Sequence, residues 1–207
     1  MNSYGSTEEA IFRAAEKEFM EKGLEGARTV KIAQNAGVTH SMLHYYFRTK
    51  EQLFNKIMQD KFRLIVESVL KVLGDESLPL LERIRQGMTD YFDFLVQNPE
   101  LPRFMINHVL SNPEVYAAFQ AEMGVNGKGI ILNLQAAIDK AAEQGEIESV
   151  DARSLAMDIM ALNLFSLLAH QMGQHVLGYP EMSQEEFFRI RKEENIETII
   201  KRLRIRL

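Results

Sequence analysis

The stretch "TVKIAQNAGVTHSMLHYYFRTKEQLF", residues 29–54, decides how this chain is read. Ile32, Ala33 and Ala36 fall at helical spacing, and Gly37 follows as a residue that accepts the positive φ other residues resist. Thr29 stands where it can cap this short helix. Thr39 can cap a second one, running to about Phe47, and Thr49 a longer third. Two short helices joined by a tight turn, with small residues where they approach, make the helix-turn-helix pattern. One such helix crosses a nucleic-acid backbone and the next enters the major groove. Within residues 37–47, "GVTHSMLHYYF" crowds two histidines, two tyrosines and a phenylalanine together. That is too polar for a core helix and too aromatic for an ordinary solvated face. A groove-facing helix needs such side chains: His40, Ser41, His44 and Tyr45 bring hydrogen bonds, while Leu43, Phe47 and Val38 hold the helix to its domain.

Helical periodicity continues on both sides. Upstream, Ser6-Thr7-Glu8-Glu9 is a capping box ahead of Ile11, Ala14, Ala15, Phe19 and Met20, and Gly23 ends that helix. Downstream, the helix begun at Thr49 carries the stripe Leu53, Phe54, Ile57, Met58, Phe62, Ile65, Val66, Val69, Leu70 and Leu73, then breaks at Gly74-Asp75. Later helices are expected over 78–97, 101–111, 113–123, 128–144, 151–177 and 183–204, with Pro79, Pro99, Pro102, Pro113 and Pro180 near their ends. No hairpin signal and no repeat appears. The expected fold is all-α: an N-terminal three-helix domain with the helix-turn-helix (1–50), joined by a long helix to a C-terminal helical domain (51–207).

Charge is distributed unevenly. The chain of 207 residues carries a formal net charge of −5. Residues 1–63 hold ten basic against eight acidic side chains, and between Thr29 and Lys50 every formal charge is positive. A locally basic surface on an acidic protein suits a polyanionic partner. Cysteine is absent, which excludes disulfides and thiolate chemistry and fits a reducing cytoplasm. The apolar region 156–168 is broken by Asp158, Asn163 and Ser166 and is too short to span a bilayer. No secretory leader is expected from Met1-Asn2-Ser3-Tyr4-Gly5.

Residues 29–54 resemble the DNA-binding domain of TetR-type transcriptional regulators. Their pattern is close to T-x-x-I-A-x-x-A-G-V-[ST]-x-G-x-[LI]-Y-x-[YH]-F-x-[ST]-K-E-x-L. The chain matches it at Thr29, Ile32, Ala33, Ala36, Gly37, Val38, Thr39, Leu43, Tyr46, Phe47, Thr49, Lys50, Glu51 and Leu53. It departs at Ser41, where Gly is usual, and at His44, where Tyr is usual. The resemblance implies that Thr29, Thr39, Tyr45, Tyr46 and Lys50 touch phosphates and fix register. It implies that His40, Ser41, Met42 and His44 face base edges. Arg28 is an additional phosphate candidate. The plain alternatives are capping for the threonines, packing for Tyr46 and a solvated charged face for Arg28 and Lys31.

The resemblance also implies a homodimer that holds two reading helices on a near-palindromic double-stranded operator. The apolar stripes of residues 151–177 and of Phe187, Phe188, Ile196, Ile199, Ile200 and Leu203 would form a two-fold four-helix bundle, against the alternative of an ordinary intrachain core. It further implies a pocket for a small-molecule effector of unknown identity, with candidate lining residues Tyr91, Phe92, Leu95, Phe104, Met105, His108, Tyr116, Phe119, Met123, Met160, Asn163 and His170. Asn163 stands out, because an amide among apolar neighbours needs a partner. No enzymatic chemistry and no cofactor is expected. His170 and His175 are five apart and do not share a helix face, so no metal site is expected there. Residues 124–129, "GVNGKG", lack the outer residues of a phosphate loop and read as a helix break. A second reading is a helical small-molecule-binding protein that no longer reads DNA.

Overall fold

The computed structural model describes residues 6–73, 77–99, 102, 106, 110, 111 and 113–205. Helices are the only regular elements among them: α1 (Ser6–Gly26), α2 (Thr29–Asn35), α3 (His40–Tyr46), α4 (Lys50–Leu73), α5 (Leu80–Gln97), α6 (Pro113–Glu143), α7 (Ala152–Leu168), α8 (His170–His175) and α9 (Gln184–Leu203). The chain divides into two compact units. One comprises Met1–Arg63 with Arg103–Glu122, the other Leu64–Pro102 with Met123–Leu207.

In the first unit α1 packs on α2 and α2 on α3. The core is Ile11, Ala15 and Phe19 of α1, Ile32 and Ala33 of α2, Leu43 and Phe47 around α3, and Leu53, Phe54 and Ile57 of α4. The Phe19 and Phe54 rings meet edge to face, 5.1 Å between centroids. Gly23 interrupts α1 with φ 68° and ψ 179°, so the regular helix ends where its glycine predicts. Thr39 Oγ1 accepts from the Met42 N–H at 3.2 Å and caps α3, and Thr49 Oγ1 accepts from the Gln52 N–H at 3.1 Å and caps α4. Thr29 differs from its expected role. Arg28 is the N-cap of α2 and makes no side-chain cap bond. Thr29 is already helical, and its hydroxyl is engaged by His40 instead.

In the second unit α9 packs on α7 and α5, and α5 packs on α7. The core gathers Leu80, Ile84 and Met88 of α5, Leu134 and Ile138 of α6, Leu155 of α7, and Ile196, Ile199, Ile200 and Leu203 of α9. Asp151 caps α7 through the Ser154 N–H, and Ser183 caps α9 through the Glu186 N–H. A buried polar cluster lies between α7 and α9. The Asn195 amide nitrogen donates toward the Leu162 carbonyl (3.0 Å), Asn163 Oδ1 (3.1 Å) and Ser166 Oγ (3.1 Å). Arg191 in turn donates to Asn195 Oδ1 at 2.7 Å.

Three further expectations are corrected. Residues 124–129 do not break the helix, because α6 runs without interruption from Pro113 to Glu143. Each helical glycine costs about 1 kcal/mol relative to alanine, but without proline every N–H of the stretch stays available to the helix. The helix expected over 151–177 is divided at Ala169, where the His170 ring seats against Phe187 and Phe188. The apolar stripe of α9 is consumed by the chain's own core: Phe187, Phe188, Ile196, Ile199, Ile200 and Leu203 are all buried within it. The helix expected over 101–111 lies largely outside the described residues.

Candidate nucleic-acid interface

The helix-turn-helix builds one exposed face. The turn Ala36–Thr39 closes as its sequence requires, with Gly37 at φ 68° and the Val38 N–H bonded to the Ala33 carbonyl at 3.0 Å. Leu43 and Phe47 anchor α3 from below. Its remaining residues therefore point outward, and His40, Ser41, Met42, His44, Tyr45 and Tyr46 are all exposed. Tyr45 is 83% exposed and its ring meets Tyr46 edge to face at 5.4 Å. Burying a phenol ring elsewhere would remove apolar area from water, so two adjacent tyrosines left in solvent are unusual. Tyr46, 39% exposed, is not buried beneath the domain.

The phosphate candidates surround this face. Arg28 and Thr39 are exposed, Thr29 is half-buried, and Lys50 reaches back so that Nζ donates to the Ala27 carbonyl at 3.4 Å. An open depression of about 780 Å³ is lined by Lys22, Gly26, Arg28, Thr29, Val30, Lys31 and Gln34. Three cations thus border the start of α2, whose own N–H groups and dipole add to the positive potential. The sequence reading did not single out Lys22. Its role follows from α1, because it pairs with Glu18 one turn back, Nζ to Oε1 at 2.7 Å. Burial pushes the Glu18 carboxyl up. The Lys22 ammonium and the Arg28 N–H outweigh that and hold it below its ordinary value.

The two histidines of α3 form a chain of contacts. His44 Nδ1 lies 3.3 Å from the Arg48 carbonyl, and its Nε2 lies 3.2 Å from His40 Nε2. Thr29 Oγ1 lies 2.9 Å from the same His40 nitrogen. A carbonyl only accepts, so His44 carries its proton on Nδ1 and in the neutral ring presents a bare Nε2. His40 Nε2–H then donates to it, with the Thr29 hydroxyl alongside.

The effector candidates are dispersed. Phe92 is buried with Phe187 and Phe188, ringed by Val96, Leu167, Tyr179 and Met182. His170 is half-buried against the same phenylalanines, its ring 5.0 Å from Phe187 and 5.8 Å from Phe188. Asn163 is buried and accepts from Asn195, while its own Nδ2 and the His170 Nε2 find no partner among the described residues. Burial pushes the Tyr91 phenol up to about 12. Met160 and Tyr116 are exposed, the latter on the part of α6 that belongs to the first unit. Phe119 falls on α6, and Phe104 and His108 lie outside the described residues.

A helix-turn-helix whose second helix exposes polar and aromatic side chains is the arrangement that DNA-binding regulators offer to the major groove. Residues 11–57 match the family of bacterial regulatory proteins described as tetR. That match covers the helix-turn-helix, and the fold of the whole chain is similar to that of solved structures described as TetR-family regulators. Among curated relatives, the nucleoid occlusion factor SlmA of Vibrio vulnificus is 30% identical over 89 residues, 43% of this chain and 45% of that protein. The transcriptional repressor NicS of Pseudomonas putida is 29% identical over 94 residues, 45% and 44% of the two chains. The chain spans about half the length of the curated relatives it matches. Among solved structures, a TetR transcription regulator from Haloarcula marismortui superposes with a TM-score of 0.68 at 18% identity, covering 97% of this chain and 100% of that one. The regulator FadR of Bacillus subtilis, in complex with stearoyl-CoA, gives 0.68 at 19% identity over 94% and 98%. No helix among the described residues is long and apolar enough to cross a membrane.

Proposed function

We propose that this chain is a cytoplasmic, ligand-responsive transcriptional repressor that binds a near-palindromic operator as a homodimer. One observation carries the reading: α3 turns its hydroxyls, imidazoles and tyrosine rings to solvent while Leu43 and Phe47 fix it from below. On this reading residues 1–50 form the reader and 51–207 the effector-binding and dimerising part. Arg28, Thr29, Thr39, Tyr45, Tyr46 and Lys50 meet phosphates, which sets register without sequence information. His40, Ser41, Met42 and His44 meet base edges in the major groove.

Two copies are needed because one short helix contacts few base pairs. Reading helices about 34–36 Å apart fall in successive major grooves. The surface that supports pairing is the outer side of α7, where Met157, Met160, Phe165 and Leu168 are exposed. An isologous contact buries such a face against its own copy. The effector is a small molecule; the similar FadR structure is a complex with stearoyl-CoA. The free Nδ2 of the buried Asn163 offers the effector a hydrogen-bond donor. Effector binding lowers operator affinity by the difference in its affinity for the two conformers. The regulator reading carries no catalytic role.

The experiment is a selection of bound duplexes from a random pool, followed by affinity measured against salt. Binding falls steeply as salt rises, and Lys50→Ala flattens the slope by about one counterion. A pool that yields no enriched half-site, with binding no tighter than to arbitrary duplex, overturns the proposal in favour of a ligand-binding protein that has left DNA.

A further inference from the structure

We propose that His40 and His44 form a chelating site for an imidazole-seeking divalent cation, Zn²⁺ or Cu²⁺, on the exposed face of α3. Three observations converge. The two residues are one helical turn apart, the spacing at which a pair of histidines on one helix face grips a metal. Their Nε2 atoms lie 3.2 Å apart. Two ligands each about 2.0–2.1 Å from one ion are about 2.9 Å apart at a right angle and about 3.4 Å apart in a tetrahedron. The observed separation falls between these limits. Finally, His44 directs its Nδ1 at the Arg48 carbonyl, 3.3 Å away. A histidine whose other nitrogen donates to a backbone carbonyl is oriented as metal-bound histidines are, with Nε2 bare and aimed outward.

The ion takes the place of the proton between the two Nε2 atoms: His40 gives its Nε2 proton to solvent and takes one from solvent on Nδ1, so both rings ligate as neutral imidazoles with no net proton released. The exposed His40 ring turns about χ2 to bring its lone pair onto the common point. Thr29 Oγ1, 2.9 Å from His40 Nε2, stands beside the ion as an oxygen neighbour. Among the described residues no three His, Cys, Asp or Glu side chains come together, so the protein supplies two nitrogens and water completes the shell. Such a half-open shell suits a reversible, readily exchanging ion rather than a structural one. Imidazole with water favours Cu²⁺ and Zn²⁺ over Mg²⁺ or Ca²⁺. Ion binding stands independently of DNA. Its regulatory consequence rests on the proposed operator reading: an ion held there withdraws both imidazoles from base edges and changes which duplexes bind.

The test uses the full, tag-free chain without DNA. Titration calorimetry with Zn²⁺, and electron paramagnetic resonance of the Cu²⁺-loaded protein, read stoichiometry and ligand type. One ion per chain and two equatorial nitrogens are expected. His40→Ala and His44→Ala each weaken binding about tenfold or more, because losing a direct ligand costs at least as much as losing an outer-shell partner. His175→Ala leaves it unchanged. Both altered positions are exposed, so helix content by circular dichroism stays at the wild-type value. Absence of saturable binding at millimolar ion, or equal affinity in wild type and both variants, overturns the site. An ion that binds as described while operator selection fails sinks the DNA reading and leaves the metal site standing.

Discussion

Helices α3 and α7 each leave an unusual face uncovered, and the two faces differ in kind. On α3 the exposed groups, Met42 apart, are hydroxyls, imidazoles and phenols, each able to bond water while it waits for a partner. On α7 they are Met157, Met160, Phe165 and Leu168, which water cannot satisfy. The first face is stable alone and suits a partner that comes and goes. The second favours lasting cover, since each buried apolar side chain contributes about 1.5–3 kcal/mol. On the function proposed here the second face serves pairing and the first serves reading.

The largest expected effect breaks the α7 side of this contrast. Phe165→Asp places a charge in the proposed self-contact and weakens dimerisation by about 3 kcal/mol, more than a hundredfold. Sedimentation across a concentration series reads it, and an unchanged mass removes α7 from the interface. Next comes a paired test on α3. Leu43→Ala opens a cavity in the first unit's core and lowers stability by about 3 kcal/mol. Tyr45→Ala stays within about 0.5 kcal/mol in denaturant but weakens duplex binding. Equal destabilisation by both would mean that Tyr45 is a packing residue.

The smallest effect concerns Glu18. Its carboxyl is held below its ordinary value of 4.5 in the folded chain, so the folded state binds that proton less readily than the unfolded state. The resulting stability is present above pH 4.5 and is lost as pH falls through the folded value. Glu18→Gln removes this contribution, so denaturant midpoints of the two proteins differ at neutral pH, draw together below pH 4.5 and converge beneath the folded value. A constant gap across that range refutes the assignment.

The helix-turn-helix was legible in the sequence because its determinants are local. Gly37 takes positive φ, Thr39 and Thr49 cap, and Leu43 and Phe47 turn inward, all within a few residues of one another. Thr29 was not legible in the same way, since its hydroxyl answers to His40, eleven positions on. The glycines of residues 124–129 mislead because local cost does not decide a helix held by the rest of its length. The stripe on α9 shows another limit. Periodicity says that a face is covered, not whether the cover comes from the same chain, and here α5, α6 and α7 supply it. For the candidate site, spacing alone places His40 and His44 on one face. The Arg48 carbonyl that fixes the tautomer of His44 becomes visible only in three dimensions.

The Asn195 amide settles a different matter, the sliding of one helix along another. It serves three oxygens on α7 with two hydrogens, while Arg191 holds its carbonyl end. Oily side chains tolerate a shift by one helical turn, since another methyl group waits at the next position. Moving α9 by that step would strand a carboxamide in hydrocarbon, so the polar cluster favours one alignment, held near the end of α7 as a dowel holds two boards.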